Sequence, residues 1–373
     1  MDLSRIRSEF PVTKKWAFMD HASVAPMSKR ACDAVRRYID DIEASGDVNG
    51  DEWHRAYGRT RELAAGLIGS SPDEIAFVKN TSEGLSFVAN GLDWRPGDNV
   101  VGAEREFPAN VYPWMNLSKK GVEFRMVPER NGRICPDDIF EAVDSRTKLI
   151  ALSFVEFTSG FRNDIAAIGE FCSGRDILFV VDAIQGLGAL RLDVRGAGVD
   201  VLSSDSHKWL MGPEGIGIFY CSERAMERIE VTEIGWFNVV NPSDYLNYDL
   251  TLHPGARRFE CGSLNTMGIY GLEGALELIR DVGIDFIEGR VLGLTDLLCE
   301  GLERKGYKIY SPRGQNERSG IVSFYSERYD SLKVYNRLRE ARIIVALRDG
   351  RIRVSPHYYN SEEEIERLLG ELP

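Results

Sequence analysis

Lys208 is the residue of this sequence best suited to covalent chemistry. It follows the apolar run VDVLSS (199–204), stands directly after His207, and leads into the glycine-rich Gly212-Pro213-Glu214-Gly215-Ile216-Gly217. A lysine at a strand end in an α/β protein lies where such folds bind ligands. Burial there strips solvent from the ammonium, lowers its pKa and leaves an amine able to attack an aldehyde. Twenty-six residues earlier, Asp182 ends the hydrophobic run ILFVVD. A carboxylate at that point is costly unless paired. A protonated pyridine nitrogen would pair with it, and the ring would then act as an electron sink. Gln185, three residues on, is within reach of a phenolic oxygen on such a ring. In VKNTSEGLSF, Thr81 or Ser82 is predicted to cap a helix starting near Glu83. The free N–H groups and dipole of that terminus favour a phosphate. Singly, each residue has a plainer explanation: a loop lysine, a turn aspartate, an ordinary N-cap. Together, each at a strand end, they are what a pyridoxal phosphate site needs.

The elements that must position them alternate. Apolar, β-branched runs occur at EIAFV (74–78), NVVGAE (99–104), VEFRMV (122–127), KLIALSFV (148–155), DILFVVDA (176–183), VDVLSS (199–204) and GIGIFYC (215–221). Amphipathic stretches separate them, one starting at Pro136, a favoured first helical residue. Strands alternating with helices predict βαβ units and a largely parallel sheet. Several runs are apolar on both faces, as when helices cover both sides. After about residue 265 the pattern becomes two long helical stretches, short strands (YKIYSP, GIVSFYS, RIIVAL, RIRVSP) and two further helices. This predicts a large domain over 15–265 and a smaller α+β domain over 266–373, with residues 1–14 packed on the latter.

Composition narrows the function. The net charge of -12 argues against a general nucleic-acid binder, which needs a basic face. No apolar run approaches the roughly 20 residues needed to span a bilayer, and the first residues lack a secretory apolar core. The expectation is a cytoplasmic protein without membrane contact. The six cysteines form no CxxC pair, and no Cys/His cluster has zinc spacing, so no metal is expected.

The set Asp182, Gln185, His207-Lys208 and Gly215-Ile216-Gly217 resembles the class V aminotransferase family of fold-type I pyridoxal phosphate enzymes. That group includes cysteine desulfurases, kynureninases and isopenicillin-N-epimerase-like proteins. The likeness runs from Phe18-Met19-Asp20-His21-Ala22 to Arg353-Val354-Ser355-Pro356-His357. It implies an α/β fold with a mostly parallel seven-stranded sheet and a smaller C-terminal domain. It implies that Lys208 forms the internal aldimine and later moves the substrate α-proton. Asp182 would pair with the pyridine nitrogen and Gln185 contact the phenolic oxygen. Thr81 and Ser82 would hold the phosphate, helped by His207, and Phe107 would stack on the ring. Ser263, in RRFECGSLNT, would reach the phosphate of the neighbouring subunit's cofactor, which implies a homodimer. Arg353 would grip the α-carboxylate, for which a guanidinium fork is suited; Arg348 and Arg351 are its nearby competitors.

Two departures from the family pattern stand out. Desulfurases carry a loop with a catalytic cysteine shortly before the arginine; here IIVALRDGRIRVSPHYYN holds none. Phe157 and Asp205 replace residues that desulfurases place near the phenolic oxygen and the phosphate. An acidic Asp205 would repel a phosphate unless it turns away or makes its own hydrogen bonds. The resemblance implies transamination of a small amino acid, the family's generic activity, as the expected reaction. A cysteine- or cystine-type C–S lyase comes second, an amino-acid epimerase third and a non-catalytic pyridoxal phosphate protein last. The substrate side chain would be read by His21-Ala22-Ser23 and by residues around Trp236 and Tyr245. Tyr112, Trp114 and His357 are equally suited to the site or the core.

Overall fold

The seven apolar runs form one sheet. A computed structural model describes residues 2–373; Met1 lies outside the described residues. The strands are β1 (Ile75–Val78), β2 (Asn99–Ala103), β3 (Glu123–Val127), β4 (Thr147–Ser153), β5 (Leu178–Asp182), β6 (Val201–Asp205) and β7 (Gly217–Cys221). Their order is β1-β7-β6-β5-β4-β2-β3, and only β7 runs antiparallel to its neighbours. The continuous hydrophobicity has a direct cause in the side-chain period of two. In β5, Phe179 and Val181 enter one core cluster while Leu178 and Val180 enter the cluster on the other face. Full burial of each such side chain contributes about 1.5–3 kcal/mol.

Helices cover both faces. Those of the main unit include α1 (Lys29–Ser45), α2 (Gly50–Ile68), α3 (Thr81–Gly91) and α4 (Thr266–Val282); α5 (Ile284–Arg304) follows, and α6 (Ser331–Glu340) and α7 (Glu362–Glu371) pack in the C-terminal core. Two glycines set close approaches. A Cβ on Gly84 of α3 would collide with Ser203 of β6 and lie 2.8 Å from the Phe219 ring. A Cβ on Gly274 of α4 would lie 2.9 Å from the Ala31 Cα of α1.

The C-terminal unit carries β8 (Lys308–Ile309), β9 (Val322–Tyr325), β10 (Ala346–Arg348) and β11 (Arg351–Val354), antiparallel in the order β8-β9-β11-β10. Packing draws its limits differently from the expected 265/266 division. Ile269, Leu272, Leu276 and Ile279 of α4 belong to the main core, because α4 is apolar on several faces and is enclosed by α1, α2 and the sheet. We place the change of unit at Gly283, whose φ of 90° breaks α4 from α5. α5 serves both units: Ile287 and Val291 enter the main core, Leu294, Leu298 and Leu302 the C-terminal one.

The start of the chain is also divided. Ile6 and Phe10 enter the main core, although Arg7 pairs with Glu364 of α7 and Phe10 stacks on Tyr359 at 4.0 Å. Ala17 and Met19, expected in the large unit, belong instead to the C-terminal core. Ala17–Phe18 forms a parallel pair with Ile343–Ile344, and that pairing carries them there.

Candidate active site

The carboxyl ends of the central strands open into a cavity of about 340 Å³. Eight of the nine expected residues line it: Thr81, Ser82, Phe107, Asp182, Gln185, His207, Lys208 and Arg353. Ser263 does not. It lies in a separate depression with Lys79, Glu83, Glu233 and Cys261.

Asp182 is the last residue of the central strand β5, between Ser153 of β4 and Ser203 of β6. Its Oδ1 accepts the Ile184 N–H at 3.0 Å, while its Oδ2 is buried with no protein partner. Burial pushes this carboxyl up to about 6, against the opposing pull of the Ile184 N–H and Lys208. Lys208 is nearly as buried, with its Nζ 5.2 Å from the centre of the Phe107 ring. Burial brings its ammonium down to about 8, and the nearby Arg353 adds to the fall while Asp182 opposes it. At neutral pH the free amine is therefore a minor fraction, but a far larger one than for an exposed lysine.

The α3 end of the cavity corrects one expectation. Neither Thr81 nor Ser82 caps the helix. Asn80 does, its side-chain oxygen accepting the Glu83 N–H at 3.0 Å, so α3 starts at Thr81 rather than near Glu83. Asn80 is extended and its short carboxamide reaches the third N–H ahead, which suits the cap. Thr81 and Ser82 occupy the first turn, where backbone N–H groups and the dipole face the cavity end. The Thr81 hydroxyl oxygen accepts the Asp205 N–H at 3.0 Å. Asp205 makes its own bonds: its Oδ1 accepts the Ser206 N–H at 2.6 Å and lies 3.0 Å from His207 Nδ1. Asp205 thus stands at the cavity wall close to His207, whose Nδ1 has no hydrogen bond in the protein.

The opposite wall is aromatic and cationic. Phe107 and Phe157 meet edge to face, 5.3 Å between centres. Arg353 is 1% exposed, and its Nη1 donates to the Phe157 carbonyl at 2.9 Å. Its Nη2 donates to Ser23 at 2.8 Å and lies 3.3 Å from Asp20 Oδ1. Burial lowers this guanidinium to about 10, opposed by Asp20. Arg351 turns away to Asp349 at 2.6 Å and lies over the Tyr310 ring. Gln185 is largely committed: its Oε1 accepts from Trp209 at 3.1 Å and its Nε2 donates to the Ala22 carbonyl at 3.0 Å, leaving one amide hydrogen.

Other expectations divide. Ala22 and Ser23 line the cavity. His21 is buried behind them, bonded to Ser355 and Tyr359, and His357 bonds the Trp209 carbonyl in the core. Trp114 is a core residue tied to Asn110, Tyr112 is exposed, and Trp236 and Tyr245 line another depression. Asn80, Ile184 and Asp20 were not anticipated. Asp20 had a signal, a carboxylate right after the short apolar AFM stretch. In chemical terms the cavity suits a ring with a protonated nitrogen at Asp182, a carbonyl at Lys208 and an anionic group at α3.

The sequence profile described as Aminotransferase class-V matches residues 17–368. A probable cysteine desulfurase of Methanothermobacter thermautotrophicus is 32% identical, covering 98% of this chain and 96% of its own. An uncharacterized aminotransferase of Bacillus subtilis is 27% identical over 98% of this chain and 96% of its own. Among solved structures, the apo cysteine desulfurase of Thermococcus onnurineus superposes with a TM-score of 0.90 at 27% identity, covering 98% of this chain and 96% of its own. The fold-type I α/β architecture expected from the resemblance thus extends over nearly the whole chain, and the protein is a member of the class V aminotransferase family.

Proposed function

We propose that this chain is a pyridoxal phosphate-dependent enzyme that transaminates a small amino acid. The observation that carries this reading is the buried, unpartnered Oδ2 of Asp182 in the same cavity as a lysine with a lowered pKa. An orphaned carboxylate oxygen is the feature a ring N–H⁺ would satisfy. Thr81, Ser82 and the first N–H groups of α3 would hold the phosphate with His207, and Phe107 would lie on the ring face. Pyridoxal phosphate, when bound, supplies an electron sink for charge developing at the substrate Cα.

The protein's own residues do the rest. Arg353 grips the α-carboxylate and so fixes which bond at Cα faces the ring's π system. Lys208, close to neutral pH in its pKa, takes a proton at its Nζ and gives one back. Ser263 lies outside its own subunit's cavity, which fits service to a neighbouring subunit in a homodimer.

A C–S lyase is the second reading. Similar proteins carry the name cysteine desulfurase, yet none of the residues lining the cavity is a cysteine that could take up sulfur. A lyase that releases sulfur to solution needs no such thiol. Epimerisation and non-catalytic binding rank below it.

The test is to load the protein with pyridoxal phosphate, reduce it with borohydride and locate the added mass by peptide mapping. It should sit on Lys208. Single amino acids are then added without a keto-acid acceptor. A transaminase releases one equivalent of keto acid per site and stops; a lyase continues, with ammonia or sulfide accumulating. Absence of label at Lys208 would overturn the reading altogether.

A further inference from the structure

The cavity holds a second guanidinium, Arg348, that none of these roles uses. It stands beside Arg353 because of strand register. Ala346 pairs with Arg353 and Arg348 with Arg351 across the β10–β11 hairpin, so all four side chains share one face. Leu347 and Ile352 point the other way, into the C-terminal core. Arg351 leaves the group for Asp349, and Ala346 is too small to fill the space. Arg353 and Arg348 then converge on one oxygen, donating to Ser23 Oγ at 2.8 and 3.4 Å. Arg353 has Asp20 nearby, but Arg348 has only neutral partners, Ser23 and the Leu347 carbonyl. Two guanidiniums on one hydroxyl repel each other, and Arg348 adds to the lowering of Arg353. Only one carboxylate stands against the pair.

We propose that Arg348 receives a second anionic group of the substrate, so that this enzyme takes amino acids with an acidic side chain. The inference rests on the reading that Arg353 holds the α-carboxylate. Depth supports the division of labour: Arg353 is buried, whereas Arg348 is exposed at the cavity rim, where a side chain directed outward from Cα would end. A bidentate guanidinium–carboxylate contact supplies both affinity and selection by charge.

The experiment is calorimetric titration of the cofactor-loaded protein with two unreactive four-carbon acids, succinate and butyrate, at pH 7. Succinate should bind about tenfold more tightly, about 1.4 kcal/mol. In Arg348→Gln the two should fall within about twofold of each other, and Arg348→Lys should restore part of the gap. Arg351→Gln, which changes net charge equally but lies outside the cavity, should keep it. Equal binding of both acids by the unaltered protein would mean that the two arginines serve a single carboxylate, and would overturn the proposal. So would a preference that survives Arg348→Gln or is lost in Arg351→Gln. Binding of neither acid would overturn both this proposal and the role given to Arg353. A failure of transamination alone would leave the succinate preference intact.

Discussion

Two buried carboxylates at the sheet are treated in opposite ways. Glu260, beside the β1 edge, is closed on every side. Arg61 grips both its oxygens at 2.7 Å, and the Phe77 N–H adds a third bond at 2.8 Å. Asp182, at the centre of the sheet, has one backbone donor and an oxygen with no partner. The first arrangement holds the chain segment 256–260 against the sheet. The second leaves binding capacity unspent, and unpaired buried groups of that kind mark functional sites more often than structural ones. The same contrast separates Arg61, fully engaged, from Arg353, whose Nε is buried without a partner.

The contrast can be broken from either side. The largest effect should come from Asp182→Asn: kcat/KM should fall roughly 10²- to 10⁴-fold. The cofactor-free variant should be no less stable at pH 7, and about 1 kcal/mol more stable by urea denaturation. The raised carboxyl contributes stability only below its unfolded value of 3.8 and loses it as pH rises through about 6. Next, Glu260→Ala strands Arg61 and should destabilise the protein by about 3–5 kcal/mol with little change in cofactor affinity at saturating concentration. A comparable loss from Asp182→Asn would erase the distinction drawn here.

Lys208→Met should abolish turnover and stabilise the cofactor-free protein by roughly 1–3 kcal/mol at pH 7. A buried lysine with a lowered pKa contributes stability above its unfolded value of 10.5 and loses it as pH falls through about 8. The advantage of the variant should therefore vanish above pH 10.5. The smallest effect concerns Glu106, behind Phe107, which accepts from the Ser153 N–H and hydroxyl. Burial raises it to about 8, so its contribution is complete below 4.5 and lost as pH rises through 8. Glu106→Gln should flatten the fall of Tm with pH over that interval.

The strands of the main sheet were legible because burial on both faces imprints an unbroken apolar run. That Lys208 and Asp182 would share one cavity was legible because charged residues near the ends of such runs need a reason to be there; Arg353 was proposed from the family resemblance alone. What stayed hidden depended on side-chain reach across distant elements. The closeness of Asp205 to His207 and its bond to the Ser206 N–H are displayed only by geometry. Asn80 rather than Thr81 caps α3: both residue types are good caps, and the sequence does not say which one takes the extended backbone of the cap position. The packing partners of α4 stayed hidden for a related reason: periodicity marks a helix as buried without saying against what.

One wall of the cavity is held by contacts between distant parts of the chain. His21 bonds to Ser355, 334 residues away, and Arg353 reaches Ser23 across 330. On the ribosome, the first partner of each pair emerges long before the second exists. Lys208, Asp182 and α3 can assemble while the hairpin bearing Arg353 and Arg348 is still being made. Pairings of such span form slowly because their loop closure must come first. Nascent chains halted before residue 340 should therefore gain a cofactor cradle without its carboxylate clamp, and selectivity should be the last property the protein acquires.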